Sequence, residues 1–136
     1  LINDLLLVME DGHADFTLVF RRLAQSLRGH SDEIQQLFEE PDAFGVWARR
    51  WQKRLKKDGV AAEIVAQSMD LVNPIYIPRN HKVEEALTAA VDRKDMTSFS
   101  NLLAVLSHPF DEIAGNEAYA APAPNSDIPY RTFCGT

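Results

Sequence analysis

Arg79, Asn80 and His81 are the densest run of binding chemistry in the chain. An arginine fork grips a carboxylate or phosphate with two parallel hydrogen bonds, and an imidazole beside it at the start of a helix would add a third contact. The same triplet also has a purely structural use. Asn80 can cap the helix that follows, while Arg79 and His81 tie the preceding backbone to nearby carbonyls. The structural use is preferred here, because Pro74 and Pro78 make residues 73–79 an extended segment whose own polar groups need partners. Asn73, Pro74, Pro78, Arg79, Asn80 and His81 are therefore read as architecture first.

Cys134 is the other residue with chemistry of its own. It is the single cysteine, which rules out an internal disulfide or a cysteine-based zinc site. A thiol three residues from the end of the sequence can travel to a partner thiol, so thiol–disulfide exchange competes with an inert exposed side chain. The histidines at 13, 30, 81 and 108 lack ligand spacing, and no metal site is expected. Glu84 and Glu85 do not make an acid–base pair, since neighbouring positions on a helix point about 100° apart. Phosphate-binding glycine loops, a His-Glu-x-x-His pair and a nucleophile signature are all missing, so no catalytic residue is assigned.

These residues have to be held by helices, because hydrophobic spacing is helical almost throughout and strand-like alternation is nearly absent. Leu1, Leu5, Val8 and Met9 open a first helix, broken at Asp11-Gly12. Asp15 caps a second, carrying Phe16, Val19, Phe20, Leu23 and Leu27, and Ser31 caps a short third. Pro41 and Asp42 introduce a fourth, with Phe44, Trp47, Trp51 and Leu55 as its apolar stripe and Asp58-Gly59 as its stop. Arg49, Arg50, Lys53, Arg54, Lys56 and Lys57 spread over the solvated side of that helix. A fifth runs through Ile64, Val65, Met69 and Val72 to Asn73-Pro74. Ile75, Tyr76 and Ile77 then form a connector expected to be buried. A sixth helix follows with Val83, Ala86, Leu87, Ala90 and Val91, and a seventh begins at Asp95 or Thr97 and holds Phe99, Leu102, Leu103 and Leu106. Prolines 109, 122, 124 and 129 make the rest irregular, and Phe110, Tyr119, Tyr130 and Phe133 suit a tail that docks. The expectation is an all-α fold of six to seven helices, divided into a helical segment 1–107 and a tail 108–136.

A length of 136 residues allows one domain or part of a larger one. A net charge of −6 argues against nucleic acid as a partner, because phosphate contacts need clustered cations. No apolar run approaches the roughly 20 residues of a membrane span, and the first residues lack the basic start of a signal peptide.

Asn73-Pro74, then Ile77-Pro78-Arg79-Asn80-His81 and Val83-Glu84-Glu85-Ala86-Leu87, resemble the C-terminal part of the selenoprotein O family of kinase-like protein adenylyltransferases. Leu102-Leu103, Pro109-Phe110, Tyr119-Ala120-Ala121-Pro122 and the terminal Tyr130-Arg131-Thr132-Phe133-Cys134-Gly135-Thr136 extend the resemblance. Asp15-Phe16-Thr17, Phe20-Arg21, Trp47 and Trp51 fit it more loosely. The resemblance implies a longer polypeptide that moves AMP from ATP to hydroxyls of protein substrates with Mg²⁺. Its kinase-like core would lie upstream and be the chief partner of this segment. The missing initiator methionine agrees with that expectation. None of the family's nucleotide or metal ligands maps onto these residues, so no cofactor is expected within them. Some family members carry selenocysteine or cysteine near the C-terminus, which implies a redox role for Cys134; here no vicinal cysteine accompanies it. The family setting is cytoplasmic in bacteria and mitochondrial in eukaryotes. The reading from another class is a self-standing helical interaction module that uses the basic face of the fourth helix on an acidic partner.

Overall fold

The computed structural model describes residues 1–124, and every regular element among them is a helix. The order is α1 (Ile2–Asp11), α2 (Phe16–Leu27), α3 (Ser31–Gln35), α4 (Pro41–Asp58), α5 (Ala62–Asp70), α6 (Asn80–Arg93), α7 (Thr97–Leu106) and α8 (Glu117–Ala120). The first seven correspond to the helices read from periodicity. The eighth is a single turn inside the stretch read as irregular. The chain forms two compact units, Leu1–Ile75 and Tyr76–Thr136, and their boundary falls inside the proline-bracketed connector.

In the first unit, α2 packs on α3 and α5, and α4 packs on α1 and α3. Its core is Leu5, Met9, Val19, Leu23, Ile34, Phe38, Phe44 and Trp47. An aromatic row runs through it: Phe38 stacks on Phe44 at 4.7 Å between ring centroids, Phe44 meets Trp47 at 5.8 Å, and Trp47 stacks on Trp51 at 5.5 Å. The Trp47 indole N–H donates to the Leu1 carbonyl at 2.9 Å, so this buried aromatic leaves no polar atom unmet. In the second unit Tyr76, Ala86, Ala89, Leu102 and Val105 are buried, and α6 packs against α7.

Helix ends follow local chemistry where the residue type leaves little choice. The Asp15 carboxylate accepts from the Leu18 N–H at 2.9 Å and caps α2. Pro41 occupies the first turn of α4, and Gly59 ends that helix in the left-handed region at φ 69°. Two expected caps are not formed. Ser31 lies inside α3 behind His30, and Asn80 lies inside α6 behind Arg79; neither helix has a side-chain cap. The helix simply starts one residue earlier than the cap reading requires, which makes each side chain the first of its helix.

Three apolar stripes are also corrected. On α5 the buried residue is Ala66, while Ile64 is exposed; the helix stops at Asp70, leaving Leu71 and Val72 exposed in the turn beyond. On α6 Ala86 and Ala89 are buried and Leu87 and Val91 are exposed; on α7 Leu102 and Val105 are buried and Phe99 and Leu103 are exposed. Phe16 of α2 is exposed as well. On α5 and α6 small residues face the neighbouring helix, because close approach of two helix backbones needs them there.

Gly12 marks where α1 closes onto the segment after α3. Its carbonyl accepts from the Glu39 N–H at 3.1 Å, and a Cβ there would stand 3.0 Å from Phe38 Cδ1 and 3.0 Å from the Val8 carbonyl oxygen. Its φ of −90° suits any residue, so space is the constraint. Phe38 is held by its stack on Phe44 and cannot step aside freely. Gly12→Ala should therefore lower stability by about 1–3 kcal/mol in urea unfolding.

Candidate functional site

The connector works differently in its two halves. On the first-unit side, Pro74 has no N–H for the carbonyl of Asp70, four residues back, and the helix cannot continue. Arg21 replaces the missing donor. Its Nη1 donates to the Asp70 carbonyl at 3.0 Å and to the Asn73 carbonyl at 3.2 Å, and stands 3.5 Å from the Asp70 carboxylate. The Arg21 side chain is only 6% exposed, which a buried cation tolerates only with such partners. Asn73 closes the arrangement: its N–H donates to the Met69 carbonyl at 2.9 Å, and its amide Nδ2 donates to the Phe20 carbonyl at 3.3 Å.

A second arginine extends the network towards solvent. Arg28 Nη1 donates to Asp70 Oδ2 at 2.7 Å, while its Nε and Nη2 grip the Glu63 carboxylate at 3.0 and 3.1 Å. Those bonds hold the Arg28 pKa above its ordinary value, and the Arg28 hydrogen bonds hold Glu63 below the ordinary carboxylate value. Sequence reasoning placed Arg21 only in a loose motif and gave Arg28 no role. Periodicity gave no signal for Arg21, which at about 100° per residue lies on the other side of α2 from Val19 and Leu23.

On the second-unit side, Tyr76 is buried and bonds at both ends. Its N–H donates to the Pro109 carbonyl at 3.2 Å; its hydroxyl accepts from the Ile113 N–H at 3.0 Å and lies 3.3 Å from the Ile113 carbonyl. The Arg79 N–H closes a tight turn onto the Ile77 carbonyl at 2.7 Å, and Arg79 Nη2 donates to the Ala120 carbonyl at 2.8 Å. Lys82 pairs with Glu85 at 2.9 Å and sits 5.9 Å above the Tyr119 ring. Arg79 thus ties the connector to backbone. His81 does not: its ring has no hydrogen-bond partner among the described residues. Burial, then the Lys82 and Arg79 charges, push its pKa below the ordinary 6.5. Ile77, Pro78, Arg79, Asn80, His81 and Ala123 line an open groove of about 310 Å³.

The basic run of α4 separates into two sides. Arg50, Lys53, Arg54 and Lys57 share one shallow groove, where Arg50 pairs with Asp4 at 2.7 Å and Arg54 pairs with Asp58 at 3.1 Å. Lys56 turns to a different, apolar groove with Leu27, Leu55, Val60 and Val65. Trp47 is a core anchor, as its stripe indicates. Tyr130, Phe133 and Cys134 lie outside the described residues. Among the described residues, no three His, Cys, Asp or Glu side chains are grouped closely enough to hold a metal ion. No described helix is long and apolar enough to cross a membrane.

The chain matches the family described as protein adenylyltransferase SelO over residues 1–107. The chain belongs to that family. Among relatives of the SelO family, the protein nucleotidyltransferase YdiU of Rhizobium meliloti (strain 1021) is 44% identical over 138 residues, covering 100% of this chain and 28% of that protein. The same-named protein of Sphingopyxis alaskensis is 45% identical over 136 residues, covering 100% of this chain and 28% of that protein. That of Mycobacterium sp. (strain KMS) is 46% identical over 136 residues, covering 100% of this chain and 26% of that protein. The chain therefore spans between a quarter and a third of the length of these SelO-family relatives.

Both halves of the connector can be tested by unfolding. Arg21→Met should lower stability by about 2–4 kcal/mol, because it strands the Asp70 and Asn73 carbonyls and leaves the Asp70 carboxylate to Arg28 alone; Arg21→Lys should recover only part of this in the same assay. For His81 the folded pKa is depressed, so as pH falls the unfolded state takes up its proton first. Stability should decline from about pH 7 towards pH 5.5, and His81→Gln should flatten that part of the urea-midpoint profile.

Proposed function

We propose that this chain is the helical accessory portion of a protein adenylyltransferase, whose kinase-like core lies upstream in the same polypeptide. That core would transfer AMP from ATP to Ser, Thr or Tyr hydroxyls of other proteins, with Mg²⁺ and in a bacterial cytoplasm. The transfer joins the hydroxyl oxygen to the α-phosphorus and releases pyrophosphate. The observation that carries the reading is the match to the adenylyltransferase family over residues 1–107, together with a share of only 28% of the Rhizobium relative's length.

The chemistry of the shared motif supports an accessory role. Asn73 and Arg79 spend their hydrogen bonds on the Phe20 and Ala120 carbonyls, so they hold the connector in shape. The described residues offer no acidic cluster that fits Mg²⁺, and no step of the transfer is assigned to them. The tail that carries Cys134 is proposed to regulate the core. Its thiolate would attack a small-molecule disulfide and then exchange onto a cysteine elsewhere in the polypeptide, releasing the small thiols. The rival reading, a helical module for an acidic partner, has the four-cation groove of α4 in its favour; two of those cations already hold carboxylates.

The test is protein labelling by the longer polypeptide, given α-labelled ATP and Mg²⁺ in reducing and in oxidising buffer. Label is expected in at least one buffer and should differ between them, whereas the 136-residue chain alone should transfer none. Cys134→Ser should abolish the difference and leave ATP binding intact. Equal label in both buffers from the unsubstituted protein would remove the redox role. Absence of label in both, with salt-sensitive binding of an acidic protein by the chain alone, would favour the interaction module.

A further inference from the structure

The α6–α7 pair of the second unit buries one side and leaves a second apolar side bare. Ala86 and Ala89 of α6 and Leu102 and Val105 of α7 are buried, and the two helices pack on each other. Leu87 and Val91 of α6, and Phe99 and Leu103 of α7, are exposed, as is Met96 in the turn between the helices. Their exposure runs from 41% for Phe99 to 66% for Val91. The connection from Lys94 to Met96 is three residues long and begins with Lys94 in the left-handed region, so the chain reverses direction there.

Helical geometry puts these exposed residues together. Each residue turns about 100° from the one before it. Leu87 and Val91 are reached by stepping forward from the buried Ala86, and Leu103 by stepping forward from the buried Leu102, with Phe99 one turn behind it. In a pair of helices that run in opposite directions, the same forward step leads to the same side. Leu87, Phe99 and Leu103 therefore share one side of the pair, with Val91 at its outer edge and Met96 at its end, and together they make an apolar strip. Soluble proteins rarely leave such a strip uncovered.

We propose that this strip is an intramolecular docking surface, covered in the whole protein by the kinase-like catalytic portion of the same polypeptide. The proposal rests on the functional reading above and deepens it by naming the surface. The length of the relatives supports this occupant, since 28% of the Rhizobium protein corresponds to this chain and the larger remainder is joined to it covalently. Tethering of that kind gives an effective concentration in the mM range, so a small apolar strip suffices. A second copy is a poorer occupant. Five side chains fall well short of the roughly 20–30 residues a side in a stable contact between separate proteins, and each copy carries a net charge of −6.

The experiment uses the longer polypeptide in a Cys134→Ser background, with the added reporters Val91→Cys and Leu103→Cys on the strip, one per variant and each read at its own site by peptide mass spectrometry. Glu85→Cys, one step backward from Ala86 and exposed, reports the opposite side of α6. In the native protein the two strip reporters should react with a maleimide at least about tenfold more slowly than the control, and all three should react alike in urea. Hydroxyl-radical footprinting of the unsubstituted protein reads the same strip without mutation, and Met96 and Phe99 should be protected. Equal reactivity of strip and control in the native monomer overturns the proposal. So does protection that grows with protein concentration, which would assign the strip to a second copy. Protection of the strip in a protein that transfers no AMP would uphold the docking surface and sink the enzymatic reading, so the two fail separately.

Discussion

The first unit depends on what happens to carbonyl oxygens where Pro74 stops a helix. A proline supplies no N–H to the residue four positions back, and a buried carbonyl without a donor is costly. Arg21 meets that demand from α2, donating to the carbonyls of Asp70 and Asn73. It thereby fixes α5, the start of the connector and its own helix against one another. Because the Arg21 side chain is almost fully buried, its charge needs the Asp70 carboxylate beside it, and Arg28 with Glu63 carries that charge balance outward. One missing N–H is answered by four charged side chains.

The second unit is anchored chiefly through a neutral group. Tyr76, directly past the boundary, pins the stretch around Pro109 and Ile113 through its own N–H and its hydroxyl. Arg79 then pins the stretch around α8 through Ala120. The motif that marks the family is accordingly a set of backbone anchors. Its Asn73 and Arg79 side chains hold irregular segments through the Phe20 and Ala120 carbonyls, whereas Asn80 and His81 take no such part.

Apolar content on these helices exceeds what the two cores take up. Ala66, Ala86 and Ala89 occupy the helix contacts, while Ile64, Leu87, Val91, Phe99 and Leu103 remain outside. A protein that ended at these surfaces would carry an avoidable aggregation liability.

The sequence by itself determined the all-α fold, the positions of seven helices, the Asp15 cap, the Pro41 start and the Gly59 stop, because each of these rests on interactions within a few residues. It also marked Ile75 and Tyr76 as buried and, through its shared motifs, the family. Tertiary structure alone decided which face of α5, α6 and α7 turns inward. Where apolar residues occupy more than one face of a helix, periodicity cannot rank an alanine against a leucine; the closeness of the neighbouring backbone does. It alone decided the partners of Arg21, which are 49 and 52 residues away in sequence, and of Arg79, which is 41 residues from Ala120. A hydrogen bond is specific in space and indifferent to sequence separation, so no local pattern announces it.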